Sequence, residues 1–378
     1  MEGRAIAAPR SLTFVLPNMG GERRWLAVVA LMTSIELVCW AVNWALGRAP
    51  APSLITYVPL AFVGLAAAMV LRMALGRRSS QANRSSLTIG TSLVGVGASV
   101  FLPLKYAIPS AVPFWLDRPL ASAERSLFGA DPWLLLDRAF GWAAAPVDRL
   151  YGLWLPVQLL VLFTVMLEPP SRQKSRALMA YSLAWVLLGV AAATVFSSAG
   201  PIFYDRLLDD RAFASLHAML RSRGAWMVLA ESDGMWRSFA TGHPSLVAGI
   251  SAVPSMHVAI SVWIALAARA LSPRLAPLAL LYAVAIWVGS VQLGWHYVSD
   301  GAAGALGMVA IWALAGRLER RLNPDPAPTS ASRPSGSVVH QSAGQTDAGN
   351  EKGRPRGRPL QIGAGKRLRR RLGWRAWP

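Results

Sequence analysis

A single cysteine, Cys39, stands in the 378-residue chain. It lies inside an apolar run, so an intrachain disulfide framework is excluded, and a thiolate metal site with it. Charge is scarce too. Only 15% of residues are Asp, Glu, Lys or Arg, against 54% hydrophobic, and the mean hydropathy is +0.38. This length would ordinarily suggest two or three water-soluble domains of about 100–200 residues, but the composition is that of a chain solvated largely by lipid. Acid is the scarcer sign, 19 residues against 38 basic ones, for a net charge of +19. That excess does not mark a nucleic-acid binder, because of where it sits. Residues Ala315–Pro378 hold 14 Lys/Arg against 4 Asp/Glu, and much of the rest falls in short loops between apolar runs. Met1–Arg24, interrupted by Pro9, Pro17 and Gly20, lacks the basic–apolar–small plan of a cleavable signal peptide, so the first apolar run is expected to remain as an anchor. No long internal repeat is visible.

What is present is a series of apolar runs. Runs of about 18–25 such residues span a bilayer as helices, and eight are read here: Trp25–Leu46, Leu54–Leu75, Leu87–Tyr106, Leu150–Leu167, Ala177–Phe196, Pro254–Leu271, Leu275–Leu293 and His296–Leu314. The fold class is therefore all-α, a polytopic membrane helical bundle of about eight transmembrane helices. Lys and Arg in short loops favour the cytoplasm. The loops Gly76–Ser86 and Glu168–Arg176, the turn flanked by Arg269 and Arg274, and the basic tail alternate as an even number of spans requires. Both termini are then cytoplasmic, and the long connections Ala107–Arg149 and Ser197–Val253 are outside. The tail, rich in Pro, Ser, Gly and Arg, reads as disordered. Its Lys366-Arg367 and Arg369-Arg370-Arg371 clusters suit an anionic inner leaflet as partner, and nucleic acid is not expected. Arg outnumbers Lys 34 to 4; with the high alanine content this suggests a GC-rich bacterial genome and a bacterial inner membrane.

Two of the five histidines stand in informative surroundings. Gly249-Ile250-Ser251-Ala252-Val253-Pro254-Ser255-Met256-His257 opens the sixth run. Pro254 suits a first helical position, leaving the N–H groups of Ser255, Met256 and His257 free at the outer face, where a helix N-terminus binds phosphate. In Trp295-His296-Tyr297-Val298-Ser299-Asp300, His296 and Asp300 are four apart and share one helical face. A carboxylate there fixes one imidazole nitrogen and leaves the other nucleophilic. The topology brings both segments to one face. A second imidazole near neutrality is a competent general acid.

Pro254-Ser255-Met256-His257, followed some forty residues later by His296-Tyr297-Val298-Ser299-Asp300, resembles the second and third signatures of the type 2 phosphatidic acid phosphatase superfamily. Gly249-Ile250-Ser251-Ala252 and Gly200-Pro201-Ile202-Phe203-Tyr204 look closer to its inositolphosphotransferase branch, which includes inositol phosphorylceramide synthases. The resemblance implies a helical core of about six helices over 87–314, with 1–86 carrying two further helices and 315–378 the tail. It also implies that His296 attacks phosphorus to form a phosphohistidine, that Asp300 orients it, and that His257 protonates the leaving oxygen. Water would complete a lipid-phosphatase cycle, on a lipid phosphate or an isoprenoid pyrophosphate. An alcohol would complete phosphotransfer, for instance of phosphoinositol. No metal or cofactor is expected.

The sequence departs from the family pattern at its cations. Lys105 stands thirteen positions before Arg118-Pro119, where the first signature has a spacing of seven, and Ser290 occupies the place of the third signature's arginine. Lys105, then Arg118 and Arg206, are the substitutes for binding phosphate, beside Ser255 and Met256. Two other readings stay open. His257, His296 and Asp300 are a possible divalent-metal set; a non-enzymatic carrier or scaffold would instead depend on midplane groups such as Glu36. That carboxyl is costly at the centre of the first helix and reads as bundle-facing, protonated or hydrogen-bonded. His243, in Gly242-His243-Pro244-Ser245, reads as loop.

Overall fold

The computed structural model describes residues 22–76, 84–242 and 249–322. Every element among them is helical. Six helices are long and apolar enough to cross a membrane: α1 (Arg23–Ala45), α2 (Leu54–Ala74), α3 (Arg84–Ala111), α8 (Arg172–Val195), α13 (Ala276–Gln292, with the turn from Pro273) and α14 (Val298–Leu322). The protein is a polytopic helical membrane protein. The other two expected spans are shorter. Helix α7 (Trp154–Met166) is 13 residues and is bent by 44° from the segment Pro132–Gly152 that precedes it. Helix α12 (Met256–Leu271) has 16 residues, about 24 Å at 1.5 Å each, short of a 30 Å hydrocarbon core.

The two long connections form six short helices: α4 (Asp117–Phe128), α5 (Pro132–Phe140) and α6 (Ala144–Gly152) before α7, then α9 (Pro201–Leu208), α10 (Ala214–Ser222) and α11 (Trp226–Thr241) before α12. Buried and half-buried carboxylates stitch the two groups together. Asp148 accepts from the N–H groups of Met227 and Val228, at 2.8 and 2.9 Å, capping α11. Asp137 pairs with Arg223 at 2.8 Å.

Charges at the opposite end of the bundle fix the register of the long helices. Lys174 bonds Glu22 at 2.7 Å with both side chains buried, and Glu22 also accepts from the Trp25 indole. Arg72 meets Glu168 at 3.0 Å and Arg172 meets Glu319 at 4.0 Å. The start of α1, the end of α2, the start of α8 and the end of α14 therefore share one end, as an even alternation of spans requires. Helix α1 packs on α3 and α8, and α2 on α3 and α7. Helix α12 runs through the centre, against α8, α13 and α14. Gly301, Gly304 and Gly307 let α14 come close. A side chain at Gly304 would strike the Ser255 carbonyl, and one at Gly307 would meet Leu188 at 2.8 Å. In α8 the stretch Trp185–Ala192 is π-helical, an irregularity frequent at functional sites. His243 and residues 323–378 lie outside the described residues; residues 315–322, expected to begin the tail, are instead the last turns of α14.

Candidate active site

The start of α12 differs from its sequence-based expectation in one respect. Pro254 follows a cis peptide bond and precedes the helix; Ser255 is the N-cap, its Oγ accepting from Val258 N–H at 3.3 Å. The Ser255 N–H is also committed, to the Asp300 carbonyl at 3.0 Å. The backbone donors left for an anion are therefore those of Met256 and His257, the first two positions of the helix.

The second histidine also sits differently. His296 lies in the turn between α13 and α14, not on a helix, and Asp300 is the third residue of α14. From there the Asp300 carboxylate reaches back in the manner of a capping box. Its Oδ2 accepts from Tyr297 N–H at 2.9 Å and lies 3.3 Å from His296 Nδ1. The carboxylate that orients the imidazole thus also satisfies an orphan donor of its own helix. Its other oxygen is enclosed without a partner. The His296 N–H bonds the Ser290 carbonyl at 3.2 Å, and the ring hydrogen-bonds to the Ala252 backbone. Burial and the nearby Lys105 push the His296 imidazole down to about 3. Its ring is therefore neutral, with the lone pair a nucleophile needs, throughout the physiological range.

The two ring centroids lie 6.2 Å apart with their planes tilted by 57°. Tyr151 stacks on His257 at 4.6 Å and Trp154 packs on its other flank at 4.1 Å. The Trp154 indole N–H bonds the His257 carbonyl at 3.1 Å. Lys105, near the end of α3, touches Gly249 and lies within electrostatic reach of both histidines. Gly249 has φ +111°, and a Cβ there would stand 2.9 Å from the Lys105 side chain, so this close approach requires glycine.

His257, His296, Lys105 and Met256 line one cavity of about 410 Å³. Four other sequence candidates do not: Asp300 and Ser255 are fully buried behind it, and Arg118 and Arg206 lie away from it. Arg118 is exposed, 3.5 Å from the Leu208 carbonyl. Arg206 pairs with Asp233 at 2.6 Å and rests over Trp236. Ser290, at the missing arginine's position, is fully buried with its hydroxyl on the Trp287 carbonyl. Among the described residues no three His, Cys, Asp or Glu side chains are grouped as metal ligands would be.

Sequence reasoning missed the carboxylates behind the site. Asp117 accepts from Ser198 Oγ and from the N–H groups of Ala199 and Gly200, each at 2.9 Å, and from the Tyr297 hydroxyl at 3.4 Å. Burial pushes Asp117 up and these hydrogen bonds pull it back. The loop it holds leads into Gly200, whose φ of +90° and contact with the Trp295 carbonyl exclude a side chain. Ile202 N–H then bonds the Gly294 carbonyl at 2.8 Å. Gly200–Tyr204 thus buttresses the turn that presents His296. Glu124 accepts from the Ser299 N–H and hydroxyl, at 2.8 and 2.7 Å, capping α14.

Fold and site together define a polytopic membrane protein with a histidine pair and a helix N-terminus at one largely apolar cavity, one of the histidines held from behind by a buried carboxylate. The family model described as the PAP2 superfamily matches residues 118–314, so the chain belongs to the PAP2 superfamily. Comparison with curated proteins and with solved structures gives no match. Membership makes the protein a phosphatase-type enzyme of lipid phosphoesters. The match begins at 118, later than the 87 expected from the motifs, and leaves α1, α2 and α3 outside it.

Proposed function

We propose that the protein cleaves a lipid phosphodiester at the histidine pair and transfers the phospho-headgroup, such as phosphoinositol, to an alcohol, with water as the competing acceptor. The observation that carries this reading is the convergence of His296 (held by Asp300 at 3.3 Å), His257 and Lys105 on one cavity at the start of α12. The free His296 nitrogen attacks phosphorus, forming an N–P bond as the P–O bond to the lipid alcohol breaks. Protonated His257 gives its proton to the departing oxygen. An acceptor hydroxyl then attacks, returning its proton to His257 as the N–P bond breaks. The N–H groups of Met256 and His257, with Lys105, hold the non-bridging oxygens.

Charge favours the diester over a pyrophosphate. Among the described residues Lys105 is the one Lys or Arg lining the cavity, and the segment 243–248 has neither in its sequence. The Lys105 ammonium, the proton on His257 and a helix N-terminus suffice for a singly charged diester and its leaving oxygen; a pyrophosphate, which carries more charge, would bring the excess unpaired into an apolar cavity. The Lys and Arg of the short loops support a reading in which the histidine end faces outside a bacterial cytoplasmic membrane, with both termini and the tail on the anionic inner leaflet.

The test is purified protein in detergent and EDTA, given a headgroup-labelled phospholipid with and without inositol or another alcohol, beside His296→Ala and His257→Ala. Headgroup transfer that depends on the alcohol and is lost in both variants is expected. Phosphate release indifferent to alcohol would reduce the reading to a plain phosphatase. Turnover that survives His296→Ala, or no turnover at all, would overturn it in favour of a carrier or scaffold.

A further inference from the structure

The cavity does not end at the histidines. Eight residues before Lys105 on α3, about 12 Å along the helix, Gly97 faces Glu36 of α1; a Cβ on Gly97 would stand 3.1 Å from Glu36 Oε2. Glu36 lines the same cavity as His257 and His296, with 5% of its surface exposed, and makes no hydrogen bond to the protein among the described residues. Between the two ends lies an aromatic stretch. Trp154 packs on His257, Trp185 lies 6.5 Å from Trp154 and 4.7 Å from Phe101, and Tyr181 lies 6.0 Å from Trp185. Beside Glu36 the wall turns polar again. The Tyr181 hydroxyl donates to Gln158 Oε1 at 3.5 Å, and the amide nitrogen of Gln158 has no protein partner among the described residues. Tyr181 is within electrostatic reach of Glu36.

An unpartnered carboxyl this deep in an apolar bundle costs stability unless something in the cavity bonds to it. Glu36 offers an acceptor and Gln158 a donor. A group that donates and accepts at once, a hydroxyl, satisfies both, and it must lie some way along a lipid whose phosphate sits at the histidines. Resting on the function proposed above, we infer that the cavity is a two-point lipid site, selecting a lipid phosphate or phosphodiester whose hydrocarbon body carries a hydroxyl, which Glu36 and Gln158 bind. The aromatic stretch holds the chain segment between the two points. Helix α1, outside the family match, then supplies the specificity-determining residue.

The experiment reads binding, so that it does not depend on turnover. Full-length His296→Ala protein in detergent is given two phosphatidic acids of equal chain length, one with β-hydroxyacyl chains and one with unsubstituted chains, and the affinities are compared. The hydroxylated lipid is expected to bind roughly tenfold tighter, as one buried hydrogen bond to a carboxyl warrants. Adding Glu36→Leu should bring the two affinities together, and Glu36→Gln should keep part of the difference. Gln158→Leu should weaken the preference in the same direction, and decides the matter if the Glu36→Leu protein does not purify. Equal affinities before any change at Glu36, no binding of either lipid, or a preference that survives Glu36→Leu would overturn the inference. A clear hydroxyl preference alongside wild-type protein that turns over no phosphoester would instead strike the proposed function and leave this site standing.

Discussion

The two ends of the cavity are built on opposite plans. At the histidine end three carboxylates that hold the site already have work within the protein: Asp300 holds Tyr297 N–H and His296, Asp117 holds the loop before Gly200, and Glu124 caps α14. At the other end Glu36 makes no hydrogen bond to the protein among the described residues. A group that must place a nucleophile to within half an ångström is locked by neighbours, because looseness there costs rate directly. A group that recognises a ligand keeps its hydrogen-bonding capacity unspent until the ligand arrives. On the function and lipid site proposed above, the contrast separates positioning from recognition within one cavity, and each can be disturbed without the other.

The largest effect is expected from Asp300→Asn, which keeps the shape but offers His296 an amide where it had a carboxylate. Turnover should fall on the order of 10⁴-fold, as the corresponding loss of an orienting carboxylate does elsewhere, with the affinity for a lipid phosphate little changed; steady-state kinetics separate the two. Lys174→Met comes next. It leaves Glu22 buried and uncompensated at the far end of α1, a change that costs roughly 3 kcal/mol or more, and it should lower the thermal midpoint in detergent. Lys105→Gln removes the cation from the phosphate subsite. It should raise KM about tenfold or more with a smaller effect on kcat, the signature of a binding contact common to ground and transition states.

The smallest effect is a pH dependence. His296 binds a proton in the unfolded chain below its ordinary value of 6.5, but in the folded protein only below about 3. The unfolded state therefore holds more protons between these values, and stability falls as the pH drops below about 6.5. Thermal midpoints at pH 7.5 and 5 should differ more for wild type than for His296→Gln. An equal difference would show that burial of His296 is not what opposes its protonation.

Much of the histidine end was legible in the sequence, because its information is local. The spacing of His296 and Asp300, the run into His257 and the apolar spans all lie within single segments. The geometry that joins them was less so. A four-residue spacing fits both a shared helical face and a carboxylate reaching back over a helix start, and only the turn at Gly294–Tyr297 distinguishes them. Pro254 suited a first helical position, yet the neighbouring Ser255 supplies the cap hydroxyl. The cations show the limit most plainly. Lys105 ranked ahead of Arg118 and Arg206 only by its place at the end of the third span, and it took tertiary packing to put Lys105 alone beside Gly249. Glu36 could be read as bundle-facing, but that it opens into the histidines' own cavity depends on α1 packing against α3, which no local pattern encodes.

The buried pair of Lys174 and Glu22 pins α1 to α8 some 15 residues, or about 22 Å, from the level of Gly189 where the cavity meets Met256. The wall that α1 provides is therefore anchored far from the reacting atoms. In evolutionary terms this allows two rates of change within one protein. Substitutions along the middle of α1 can drift and alter which lipid is accepted, while the histidine geometry on α12 and α14 stays under the constraint of the reaction.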